Sequence, residues 1–311
     1  MDPARFCSQS RLVIVAGKGG VGKTTVTAAL AVMAAEAGLR TLIVEVEGKT
    51  GLGTSFGRGE LGYEEIEVAD RVRARTITPD QALLDYLEGH GMRRLSKRLA
   101  SSGVLDVVAT AAPGIKDILV LGKVKSLEKS GETDLIVLDA PAAGHAVTFL
   151  TSARGLVDAV RVGPVHAQAE EVLEVLTDPA RCQVLLVTLP EETPVNEAVE
   201  TARRLRERVG VHIEAIVVNG LYPPLEGLEP DEAELGGLPD GDAASLVAAA
   251  SFRRARQDLQ REQLARLAAN LDLPQLHLPF LFSPQLGRGE IDELASALRK
   301  AVGSMDEVRA P

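Results

Sequence analysis

The chain has 311 residues, enough for one large domain or two smaller ones, and 45% of them are hydrophobic. A net charge of −10 argues against a non-specific nucleic-acid binder, and no apolar run approaches the roughly 20 residues of a membrane-spanning helix. The two cysteines, Cys7 and Cys182, form no C-x-x-C, so neither a thiolate zinc site nor a disulfide framework is expected. With no apolar leader at the N-terminus, the expected location is a reducing cytoplasm.

In chain order, residues 1–10 read as a ragged terminus. Leu12–Ala16 is a continuous apolar run, the pattern of a buried strand. It leads into Gly17-Lys18-Gly19-Gly20-Val21-Gly22-Lys23-Thr24-Thr25, which contains the P-loop pattern G-x-x-x-x-G-K-[ST]. The glycines let backbone N–H groups turn toward phosphate oxygens without a Cβ in the way. A helix starting near Thr24 aims the positive end of its dipole at the same anion. Lys23 is placed to reach the β- and γ-phosphates, and the Thr24 hydroxyl to ligate Mg²⁺. The pattern therefore predicts a nucleoside triphosphate as ligand, which the family resemblance below narrows to ATP, held by Gly17, Gly19, Gly20, Val21, Gly22, Lys23, Thr24 and Thr25.

Thr41–Val46 is a second strand, followed by a glycine-rich stretch, Gly48–Gly59, expected to be a loop. Residues 66–77 alternate like short strands. Thr78-Pro79-Asp80-Gln81 is a helix start, with a cap, a proline in the first turn and a capping box. A helical pattern runs from there to about Lys129, broken near Gly89–Gly91, Ser101–Gly103 and Pro113-Gly114. Its apolar positions, such as Leu83, Leu84 and Leu87, fit either a helical core or a groove for an apolar client. Asp134–Leu138 is a strand that ends at Asp139, the arrangement in which a carboxylate holds Mg²⁺ directly or through water. Residues 155–180 are again helical. Gln183–Thr188 and Ile213–Val218 are further strands, with a helix beginning at Thr193-Pro194 between them. Residues 221–245, rich in Pro, Gly and acids, read as a long surface loop. A charged helix over about 252–270, a strand at Gln275–Leu278 and a helix over about 290–302 follow. The alternation predicts an α/β fold, a doubly wound and mostly parallel sheet. Its P-loop core would comprise residues 1–77, 131–155 and 181–311, with an α-helical subdomain at 78–130 and 156–180.

Lys18, directly after the first glycine, gives the deviant form K-G-G-x-G-K-T. With Asp139–His145 (D-x-x-x-x-G-H), Pro190-Glu191, and the runs Val44–Gly48 and Gly163–Ala169, the chain resembles the ArsA family of ATPases. The likeness runs over nearly the whole chain. It is closest to the single-P-loop branch that includes the guided-entry ATPase for tail-anchored proteins and its actinobacterial anion-transporting relatives. The resemblance implies an ATPase working as a nucleotide-gated dimer, with itself or with a paralogous subunit, in which Lys18 reaches the partner's nucleotide. It also implies that Asn219, Pro279 and Phe280 surround the adenine. Glu47 then stands where the family has a water-positioning Asp, and Glu45 where a second-shell Mg²⁺ group sits. Both could instead be ordinary strand-end acids facing solvent. His145 is either a γ-phosphate sensor or a structural histidine. The zinc-binding C-x-x-C of the targeting enzymes is missing after Asn219. Three outputs fit: handling of an apolar protein client, regulation of a membrane-associated or metabolic partner, or positioning of the ParA/MinD type. No nucleic-acid partner and no transmembrane segment are expected.

Overall fold

In the computed structural model, which describes residues 1–46, 51–92, 94, 96, 114–141, 143–229 and 239–305, strands and helices alternate along the chain. The described strands are β1 (Leu12–Gly17), β2 (Thr41–Val46), β3 (Ile66–Ala69), β4 (Val72–Ile77), β5 (Leu135–Asp139), β6 (Cys182–Thr188), β7 (Ile213–Leu221) and β8 (Gln275–Pro279). They form one eight-stranded sheet in the order β3-β4-β2-β5-β1-β6-β7-β8. Every neighbouring pair is parallel except β3 and β4. This is the α/β architecture that the alternation of elements predicts.

β1, β5 and β6 are buried at every position. Strands covered on both faces need apolar side chains on both, which is why their sequences run continuously apolar instead of alternating. One face of the sheet carries Leu12, Ile14, Leu42, Val44, Ile136 and Leu138. It packs under α4 (Pro79–Gly89), α5 (Ile115–Ser130), α6 (Ala143–Ala159), α7 (Pro164–Thr177) and α8 (Glu192–Arg208). The other face carries Val13, Val15, Ile43, Val137, Val217 and Leu276, under α2 (Lys23–Glu36) and α10 (Arg288–Gly303). α2 packs on the sheet and against α10, which itself lies on β8, and Val26 through Ala34 are all buried. Its alanines let sheet and helix approach closely without the volume of larger side chains.

Thr78 caps α4 as its sequence predicts: the Gln81 N–H donates to Thr78 Oγ1 at 3.3 Å, with Pro79 in the first turn. Elsewhere three expectations need correction. Residues 1–10 are not ragged, because α1 (Pro3–Ser8) buries Phe6 and Cys7 against α2 and α10. The glycine-rich stretch contains a short helix, α3 (Gly51–Ser55), whose Leu52 is fully buried. The charged helix near the C-terminus begins earlier than its charges suggest: α9 spans Asp240–Asn270. Its first half is built of alanine, serine, leucine and valine and is mostly exposed. Cys7 and Cys182 belong to the cores on opposite faces of the sheet. Burial pushes the Cys7 thiol up to about 12 and raises Cys182 as well.

The chain leaves β1 for β2 on one side and later places β6 on the other. Such a reversal opens a crevice beyond the carboxyl ends of the central strands. Gly17, Glu45, Asp139, Thr188, Asn219 and Pro279 all stand at or near those ends. Among the described residues no helix is long and apolar enough to cross a membrane.

Candidate functional site

The loop between β1 and α2 is shaped by two close approaches. A Cβ at Gly17 would lie 2.3 Å from the Val187 carbonyl oxygen of β6, so no side chain fits there. Gly22 has φ +88°, a left-handed conformation that glycine adopts freely, and a Cβ there would meet Asn219 Nδ2 at 2.3 Å. Gly22 is also the N-cap of α2, which has no side-chain cap and no acid in its first turn. The first N–H groups of the helix are therefore left for an anion. Lys23 is buried, and its Nζ donates to the Lys18 carbonyl oxygen at 2.7 Å, under the arch of the loop. Gly22→Ala is expected to cost about 1–3 kcal/mol, because the new side chain is strained in its own backbone and displaces Asn219. Urea unfolding checks this, and an unchanged midpoint would show that the loop does not need that conformation.

On the β2/β5 side, Thr24 Oγ1 donates to Asp139 Oδ2 at 2.6 Å. Asp139 is fully buried at the end of β5, and Glu45 is its register partner on β2. Glu45 is itself only 1% exposed and accepts from Thr76 Oγ1 at 3.3 Å. It is thus not a solvent-facing strand-end acid, because β4 and β5 flank it on both sides. The structure brings Thr24, Asp139 and Glu45 together. Hydroxyl and carboxylate oxygens are the hard donors that Mg²⁺ takes. Glu47 and Pro113 lie outside the described residues; His145 falls in the first turn of α6, where no side chain is described.

On the β7/β8 side, Asn219 Nδ2 donates to the Val21 carbonyl oxygen at 3.0 Å, tying the end of β7 to the phosphate loop. Pro279 ends β8, and the Phe280 N–H donates to the Leu221 carbonyl oxygen at 2.7 Å. Around Phe280 stands a group that sequence reasoning missed. Tyr222 and Phe282 have ring centroids 5.1 and 4.9 Å from that of Phe280, and the Arg253 guanidinium lies 4.4 Å over Tyr222. Arg253 also donates to the Pro223 carbonyl oxygen at 2.7 Å. A signal was available. The chain has only nine aromatic residues, six Phe and three Tyr, so three within contact mark a built surface.

Lys18 and Lys23 diverge. Lys23 turns under the loop, whereas Lys18 Nζ reaches outward to Glu197 Oε1 on α8, at 2.8 Å. Glu197 was not singled out from the sequence.

A strand, phosphate loop and helix at the switch point of a parallel sheet define a P-loop nucleotide-binding protein. The family model of the anion-transporting ATPases, the ArsA ATPases, matches residues 10–162 and 157–229. ATPase BagA of Mycobacterium tuberculosis is 32% identical over 332 aligned positions, covering 95% of this chain and 94% of BagA. A putative arsenical pump-driving ATPase of Halobacterium salinarum is 26% identical over 308 positions, covering 93% of this chain and 44% of the relative. The arsenical pump-driving ATPase of Acidiphilium multivorum is 30% identical over 216 positions, covering 68% and 35%. The chain belongs to the ArsA ATPase family, and it hydrolyses ATP.

Proposed function

We propose that the chain is a Mg²⁺-dependent ATPase whose subunits close on one another when ATP is bound and part after hydrolysis. The observation that carries this reading is the divergence of the two loop lysines. Lys23 is buried beneath its own phosphate loop, while the Lys18 side chain, 36% exposed, points away from it. A lysine in that position is suited to a nucleotide in another subunit, identical or paralogous, where its charge would act as an arginine finger does. These 311 residues carry one P-loop, and another subunit would complete the site.

Hydrolysis is then in-line attack of water on the γ-phosphate. Lys23 and the N–H groups of Gly19 to Thr25 stabilise the charge that spreads over the phosphoryl oxygens. Thr24 and Asp139 would hold the metal, with Glu45 as a supporting carboxyl group. The Thr24 hydroxyl and the two buried carboxyl groups offer the hard oxygen donors that such a cation would take. Mg²⁺ supplies electrostatic stabilisation of the transferring group. Glu47 would orient the water in place of the family's Asp, and a carboxylate longer by one methylene is expected to make turnover slow. Asn219, Pro279 and Phe280 enclose the base.

The output we favour is targeting, or chaperone-like handling, of an apolar protein segment. Residues 78–130 and 156–180 would form the unit that moves with the nucleotide state. An apolar cavity of about 150 Å³ between α4, α5 and α7, lined by Leu83, Tyr86, Ile115, Leu119 and Val165, supports this. Arsenite handling is disfavoured, because clustered thiolates are what it needs and Cys7 and Cys182 are buried on opposite faces of the sheet.

Sedimentation velocity of Glu47→Gln protein tests the cycle. That variant is expected to bind ATP, to lose most of its turnover, and to sediment as a dimer in ATP and largely as a monomer in ADP. A monomer in ATP, in ADP and without nucleotide would remove the homodimer and point to a paralogous partner. Turnover equal to that of the parent would remove Glu47 as the water-positioning group.

A further inference from the structure

We infer that Glu197 is a positioning residue for Lys18: it holds the lysine in an ion pair within its own chain, and that pair must open before Lys18 can serve another subunit. This inference rests on the dimer reading above.

The Lys18 Nζ to Glu197 Oε1 distance is 2.8 Å, and the two side chains are 36% and 41% exposed. The carboxylate is not on a loose loop. α8 starts beyond the carboxyl end of β6, the strand beside β1, and buries Val195, Ala198, Ala202 and Leu205 against the core. Its first turn is pinned from α9, by Arg256 on Glu191 at 3.0 Å and by Arg266 near Glu192 at 3.7 Å. Arg256 also lies 5.6 Å from the Tyr222 ring, so the helix that holds α8 touches the aromatic group beside Phe280. Glu197 thus sits at a fixed place above the phosphate loop. A lysine with three donors and a flexible stem follows such a charge.

The consequence is a competition. Lys18 cannot neutralise Glu197 in its own chain and a phosphate across an interface at once. Each subunit of a symmetric dimer gives up one pair on closing. Exposed pairs of this kind shift an equilibrium by about 1.5- to 5-fold each, so releasing two tightens the ATP-bound dimer by about 2- to 25-fold. The pair therefore acts as a restraint that keeps the ATP-free chain from associating.

The test uses the full chain in three forms: parent, Glu197→Gln and Glu197→Asp, with thermal unfolding as the folding control. First, Lys18 reactivity toward acetic anhydride is read by mass spectrometry without nucleotide, relative to the other lysines. It is expected to rise about 1.5- to 5-fold in Glu197→Gln and to stay near the parent in Glu197→Asp. Second, the dimer dissociation constant is measured in ATP-γ-S. It is expected to fall about 2- to 25-fold in Glu197→Gln, with Glu197→Asp again close to the parent. The gap between parent and Glu197→Gln should narrow toward none in about 1 M salt, where the screening length is about 3 Å. Unchanged labelling, or labelling that rises without tighter association, overturns the inference while the dimer stands. Weaker association in Glu197→Gln also overturns it, by showing that the carboxylate helps closure. A parent chain that stays monomeric in ATP-γ-S overturns the homodimer and this inference with it.

Discussion

Lys23→Ala is expected to lose ATP affinity by about 2–5 kcal/mol, roughly 30- to several-thousand-fold in Kd. The size follows from where the ammonium sits. Lys23 is only 7% exposed, beneath the loop whose N–H groups we propose hold the anion, and solvent screens it little. Removing the side chain takes away the charge but leaves the phosphate groups in the same desolvated pocket. The loss is therefore larger than the worth of one exposed ion pair. A folded variant is expected, because the printed bond it removes, from Lys23 Nζ to the Lys18 carbonyl, lies within the loop itself. Isothermal titration with ATP and ADP, beside a thermal melt, makes the measurement. Parent-like affinity in a folded variant would remove the phosphate-binding role.

Asp139→Asn is expected to separate stability from activity. Asn presents an oxygen where Asp139 Oδ2 accepts from Thr24, so the 2.6 Å hydrogen bond can be kept. What is lost is one of two buried carboxyl groups, the other being Glu45 on the adjacent strand position. Without metal, the unfolding midpoint of the variant should stay near that of the parent, because Asn keeps the side-chain volume and the acceptor for Thr24. Turnover in Mg²⁺ should fall by about 10²–10³, the range seen when one preorganised group at a developing charge is removed. Adding Mg²⁺ and ATP should stabilise the parent more than the variant. A variant with full turnover would exclude Asp139 from the metal site. A strongly lowered midpoint would show that its carboxylate is structural.

What could be read from the sequence was what the chain encodes locally. The phosphate loop is a contiguous motif, and the strand ending at Asp139 announces itself by its apolar run. Thr78-Pro79 sets the start of α4 through contacts three residues apart. The missed elements lack such signals. α1 and α3 are only six and five residues long, too short to show a period, and are fixed by side chains such as Phe6 and Leu52 that other elements enclose. The burial of Glu45 depends on strand order: β4 and β5 flank β2, which no local pattern states. Lys18 and Glu197 are 179 residues apart, and Asn219 and Val21 are 198 apart. Contacts of that range follow from the sheet's topology alone. Arg253 was hidden in a different way. It belongs to a helix full of charges, and only the turn after β7 decides which of its arginines meets Tyr222.

The depth of the two thiols has a practical meaning for watching the molecule move. Cys7 and Cys182 are the chain's only cysteines, both are buried, and both are held in the protonated, unreactive form at neutral pH. Maleimide and nitroxide reagents attack thiolates at the surface, so the native chain gives a silent background. A single cysteine placed at Val162, 82% exposed in the turn between α6 and α7, would take a spin label or dye alone. Distances between such labels in a closed pair, followed through a cycle of ATP addition and hydrolysis, would report the movement of that turn without any cysteine having to be removed first.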